Sequence, residues 1–370
     1  MARSGAHAGS YVRYRHSRQG CDMRPTITLL LAALLPFTSA AAADTSDCPA
    51  SLQLPELSCV ATPQGWFHAE NLATARQIAE DANLAASSFE AYFGRPAPRG
   101  AVFAGGQGRA IPDDLGQAFT AAGAAWQLPW LDAPGRRAVQ RSALERQLRA
   151  SMPGMDEAQL QARIDAALSS ATAPPDSAAD RSTLRHEIGH MLLIRAFWGA
   201  PATDTSRGPG HYGGPGPDWL DELAAVLLES QVMADNRRAK LHSAEAAAHL
   251  QPLATFFDKP HPMAARMSEL ASRGPGAHVI SGAEAQRLTG DAGWFYVQAR
   301  GVADFVLDTS SDPAVFGHMA AFLANGGDME GWLAAHGSQS GLPASIPELD
   351  AAWTQWLAAR AQSPATTRVP

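Results

Sequence analysis

Apolar positions recur at three- and four-residue spacing along most of this chain and gather into short runs only near its N-terminal end. The spacing predicts a helix over 69–94, with Leu72, Ile78, Ala79, Ala82, Ala86, Phe89 and Phe93 on or near one face and Gly94 as a natural stop. After a segment rich in proline and glycine, AVFA at 101–104 reads as a short strand. AAWQLPWL at 124–131 reads as a second, which Pro129 confines to a sheet edge. An edge strand beside a cleft is a common place for an extended peptide to pair. Residues 134–170 are charged, alanine-rich and helical in pattern, with a break at Pro153-Gly154, and 173–180 reads as a loop. A helix is then expected from about Ser182, as N-cap, to Trp198, with Gly199 as its stop. Glycine and proline dominate 207–217, which excludes regular structure there. Asp218 opens a further helix, DWLDELAAVLLESQVMA, and 293–360 is helical again, with breaks at Gly326-Gly327 and across 337–347. There is no internal repeat. The pattern as a whole predicts an α+β, mainly helical fold with a small N-terminal sheet and a helical C-terminal lobe.

Composition narrows the function classes. Hydrophobic residues make up 46% of the 370 positions, enough to bury a full core. The formal charge of −7 and the lack of a basic stripe argue against nucleic acid as a partner. ITLLLAALLPFT at 27–38 follows Arg24, is too short to span a bilayer, and runs into the small residues TSAAAA. Residues 1–43 therefore read as an upstream extension plus a secretory signal peptide, with Met23 a second candidate start. The expected location is secreted or periplasmic, with no stable membrane insertion after cleavage. Cleavage removes Cys21 and leaves Cys48 and Cys59, a pair suited to a bridge in an oxidising compartment. The expected organisation is an N-terminal segment 44–66, one domain over 67–360 carrying an inserted helical region at 134–180, and a flexible tail 361–370.

The string that carries chemistry is His186-Glu187-Ile188-Gly189-His190. Histidines four apart on a helix project from one face, so both imidazoles can reach one metal ion, and Glu187 borders that face. Leu184, Ile188, Met191 and Leu192 give the helix an apolar side, and Gly189 suits the close approach of a neighbouring element. A catalytic zinc site needs a third protein ligand and an open position. HEIGHMLLIRAFW has no nearby third histidine, so the ligand is sought in the next helix, whose first turns, DWLDEL, supply Asp218, Asp221 and Glu222. Glu222 is the favoured ligand. Asp221 and Asp218 remain as fallback ligands or as partners that fix a histidine tautomer. The other histidines, His242, His249, His261, His278, His318 and His336, have no paired spacing and are expected at the surface or in capping roles.

HEIGH followed downstream by WLDEL resembles the gluzincin, or peptidase MA-like, zinc metallopeptidases, and the likeness extends loosely over 69–360. The resemblance implies a zincin-like fold, zinc held by His186, His190 and Glu222, Glu187 as general base, and a peptide or protein substrate. The segment WFYVQARGVADFVLD resembles the family's C-terminal part and places Tyr296 as a donor facing the cleft; Tyr212, beside His211, is the rival donor. Leu223 stands where many relatives have glycine, and the region 134–180 is extra. Both departures bear on the shape of the cleft. Two other functions share these residues: a catalytically silent peptide-binding relative, which Glu187 disfavours, and a zinc hydrolase of a non-peptide bond.

Overall fold

The computed structural model describes residues 48–105, 110–171, 177–199, 214–264 and 282–361. The signal peptide read in 1–43, the tail, and Tyr212 with His211 lie outside the described residues. Four short strands form one mixed sheet in the order β1-β2-β3-β4. Strand β1 (Ser58–Thr62) and β2 (Gly65–Ala69) make an antiparallel hairpin, while β3 (Gly100–Ala104) and β4 (Trp126–Pro129) run parallel to β2. β4 ends on Pro129 at the sheet edge, as its sequence predicts. The hairpin was not legible in the alternation pattern, because β2 is buried along its whole length and shows no polar face. β2 also crosses the boundary at 66/67 that the sequence suggests.

One sheet face packs Val60, Phe67 and Val102 against α1 (Leu72–Phe93). This helix starts at Asn71, whose side chain accepts the Thr74 N–H at 2.9 Å, and stops at Gly94, which adopts φ 61°. Ala75, Ile78, Ala79, Ala82, Phe89 and Phe93 form its buried face, whereas Leu72, in the first turn, is exposed. The opposite sheet face packs Trp66, Ala101 and Phe103 on Leu115 and Phe119 of α2 (Asp113–Ala121). Cys48 and Cys59 are joined by a disulfide beneath this second face, tying the first described residue to β1.

Helices α3 (Ala133–Ser151) and α4 (Glu157–Ala171) form a hairpin between β4 and the histidine helix, broken where Pro153-Gly154 predicts. Leu144, Leu160, Ile164 and Leu168 give it a small core of its own. Arg136, which pairs with Asp180 and lies over the Trp130 ring, tethers it to the rest of the chain.

The histidine helix α5 runs Ser177–Phe197, starting earlier than its sequence suggests. Ser182 is thus inside the helix and not its N-cap; its hydroxyl accepts the Ser230 N–H at 2.9 Å instead. The segment after Asp218 is two helices, α6 (Asp218–Leu228) and α7 (Gln231–Leu241). The break falls at Glu229-Ser230, because Ser230 caps α7 while its backbone is held by α5. A short α8 (Leu253–Asp258) leads towards the long α9 (Gly282–Thr309), and α10 (Val315–Ala324), α11 (Met329–Trp332) and α12 (Ile346–Ala361) complete the fold. The protein is mainly helical with a small mixed sheet, which is the predicted α+β class. Among the described residues, no helix is long and apolar enough to cross a membrane.

Candidate metal centre

Helices α5 and α6 pack on each other more extensively than any other pair of elements among the described residues. Gly189 sets their separation: a Cβ there would stand 2.7 Å from Ala225 Cα and 3.3 Å from the Ala224 carbonyl oxygen. Backbone therefore meets backbone, the close approach that this glycine suggests in the sequence. Three residues earlier on each helix stand His186 and Glu222.

The nearest imidazole and carboxylate atoms are 3.1 Å apart, from His186 Nε2 to Glu222 Oε1. His190 Nε2 lies 3.9 Å from Glu222 Oε2. One donor atom from each of His186, His190 and Glu222 falls within 4.8 Å of the others, and all three side chains are buried. These three residues can hold a metal ion. Of Asp218, Asp221 and Glu222, Glu222 is the one that reaches both imidazoles. Glu222 Oε1 is buried without a hydrogen-bond partner despite its closeness to His186, which suits an oxygen directed at a cation.

The far nitrogens of both rings face carboxylates. Glu229 Oε1 lies 2.9 Å from His186 Nδ1 and is hydrogen-bonded to it, while Asp221 Oδ1 lies 2.9 Å from His190 Nδ1. Asp221 thus stands behind the His190 ring as Glu229 stands behind that of His186, but without a geometrically formed hydrogen bond. Glu229, at the C-cap of α6, has no counterpart in the sequence reading. It accepts from both Nε and Nη2 of Arg237 on α7. Arg237 in turn lies 5.1 Å from the centre of the Tyr296 ring.

Charge follows this arrangement. Burial works against protonation of His186, but Glu222 and Glu229 outweigh it and raise its pKa to about 10. His190 is raised as well, burial being overcome mainly by Asp221 and then by Glu222. Burial likewise opposes ionisation of Glu222, and the neighbouring histidines overcome it, holding the carboxyl well below its usual range. Glu229 is lowered in the same way, its burial offset by Arg237 and His186.

Glu187 is half-buried on α5 between the two histidines. Tyr296, on α9, lies edge-on to His186 with ring centres 5.7 Å apart, so it borders the centre. His261 corrects the expectation of a surface or capping role. It is 1% exposed, and its Nε2 stands 3.4 Å from Glu222 Oε2. Nothing in its local sequence, DKPHPM, marks it, because its partners come from α6 and α9. Compared with known proteins, the chain matches no family model, no curated protein and no solved structure.

Proposed function

We propose that this chain is a zinc-dependent hydrolase of peptide bonds with a zincin-like active site. The observation that carries the reading is the convergence of two imidazoles and one carboxylate, all buried, from two helices in backbone contact. Two nitrogens and one oxygen are the protein donors typical of catalytic zinc, which keeps a further position for water, rather than of magnesium or calcium, which favour oxygen. His186, His190 and Glu222 hold the ion in this reading. When bound, it supplies Lewis acidity towards water and towards a scissile carbonyl.

The chain's own residues carry the protons. Glu187 takes a proton from the attacking water at its carboxylate and returns it to the leaving amine. Tyr296 donates from its hydroxyl to the oxyanion that develops on the substrate. Glu229 and Asp221 keep the ligand imidazoles oriented, each through Nδ1. A peptide substrate is the choice that the HEIGH and WLDEL pairing supports. The Cys48–Cys59 disulfide supports export to an oxidising compartment.

Metal content of the purified mature chain, measured by mass spectrometry beside a peptide-library digest with and without chelator, tests this reading. Glu187→Gln is expected to keep its zinc and lose about a hundredfold or more of its turnover. Glu222→Ala is expected to lose the zinc itself. Full occupancy in Glu222→Ala means that the third ligand lies elsewhere. A zinc-loaded chain that cleaves nothing is a silent binder, and one that cleaves only esters or epoxides has a different substrate class.

A further inference from the structure

His261 enters the centre from a segment that contributes no ligand to the donor group. Its backbone N–H donates to Asp218 Oδ2 at 2.7 Å. Asp218 lies one helical turn before Glu222 on α6, so one helix both presents the carboxylate and anchors the residue beside it. Two neighbouring rings of α9 pack on the imidazole: Phe295 meets it edge-on at 5.0 Å between ring centres, and Tyr296 lies inclined at 31° and 5.5 Å.

The orientation of this ring decides what it can do. The Met263 N–H donates to His261 Nδ1 at 3.1 Å, so Nδ1 is the lone-pair nitrogen and the ring proton resides on Nε2. The proton-bearing Nε2 stands 3.4 Å from Glu222 Oε2, slightly beyond the usual hydrogen-bond range, while Oε1 of the same carboxylate is the oxygen nearest His186. A protonated ring nitrogen has no lone pair to offer a metal. The three donors that do converge are His186, His190 and Glu222.

We propose that His261 is a positioning residue for the metal ligand Glu222, donating from Nε2 to Oε2 so that Oε1 alone faces the ion, and that His261 is not itself a ligand. The role rests on the metal-centre reading above. A carboxylate with one oxygen engaged by a donor binds a metal through the other, which leaves a coordination position for water and substrate. His261 thereby keeps Glu222 monodentate.

The test uses the full mature chain with zinc as the probe. Zinc affinity is measured by competition with a chromophoric chelator for the wild type, His261→Leu, His261→Gln and His186→Ala. His261→Leu is expected to weaken zinc binding about tenfold to a hundredfold, with His261→Gln, which keeps a donor, restoring it to within about threefold of wild type. His186→Ala is expected to abolish binding. Unchanged affinity in His261→Leu overturns the positioning role alone. Failure of the wild type to take zinc overturns the metal centre itself. Independently of any variant's folding, nitrogen NMR of the zinc-loaded wild type is expected to find His261 protonated at Nε2 and bare at Nδ1. A metal-bound Nε2 at His261 would instead make it a fourth ligand and sink the proposal.

Discussion

His186 and Glu222 form a close imidazole–carboxylate pair, and Glu229 waits behind the ring to receive any proton-bearing Nδ1. Because the folded-state pKa of His186 is raised to about 10, the ring is protonated at neutral pH in the metal-free chain. Its contribution to metal-free stability is therefore complete below about pH 6.5 and is lost as pH rises through about 10. In the proposed zinc centre the metal displaces that proton, so zinc binding is expected to tighten as pH rises over the same span. Titration calorimetry at neutral pH in buffers of different ionisation enthalpy is expected to report release of about one proton or more per zinc. A heat independent of the buffer would mean that the imidazoles are already neutral and would contradict this electrostatic account.

At the scale of elements, the contact between α5 and α6 turns on a residue without a side chain. Alanine is favoured over glycine in a helix by about 1 kcal/mol. At Gly189, however, the added carbon would stand 2.7 Å from Ala225 Cα, a backbone atom that cannot rotate away. Forced overpacking of this kind costs about 1–3 kcal/mol. Gly189→Ala is thus expected to lower the melting temperature despite its better helix propensity, and to weaken zinc binding by spreading the ligands. A variant that melts higher would refute the argument. The Gly94 end of α1, the edge position of β4 and the break between α3 and α4 were legible because glycine, proline and spacing act locally, whereas the helix begins at Leu72 and not at Ala69, which pairs in β2. The His186–Glu222 pairing was legible because a helical repeat and a downstream acid segment announce it. Glu229, 43 residues beyond His186, and His261 on its proline-flanked segment were not, since only the packing of α6, α7 and α9 brings them in. Ser182 was misread for a similar reason: its hydroxyl serves a distant backbone N–H and not the start of its own helix.

Across the whole molecule, α6, α7 and α9 are joined by a polar lock. Arg300 on α9 donates to the Val226 carbonyl of α6 and to Asp304, and Asp304 also receives Arg238 from α7. Burial opposes ionisation of Asp304, yet Arg238 and Arg300 outweigh it and hold the carboxyl below its usual range. A depressed carboxylate stabilises the fold above its unfolded-state value of about 4 and loses that contribution as pH falls through the folded value. Asp304→Asn is expected to be less stable than wild type at neutral pH and to show a shallower loss of stability below about pH 4, read by denaturant unfolding at each pH. Parallel pH curves for the two proteins would remove Asp304 from the account.

Every residue of α6, from Asp218 to Leu228, is buried. A rod with no wet side has no tolerant stripe, so saturation mutagenesis across it is expected to give sensitivity without the 3.6-residue rhythm that α7, with its exposed positions, is expected to keep. The acid able to hold a metal ion is thereby embedded in the segment least able to drift, and losing the metal site and losing the scaffold become hard to separate by random change.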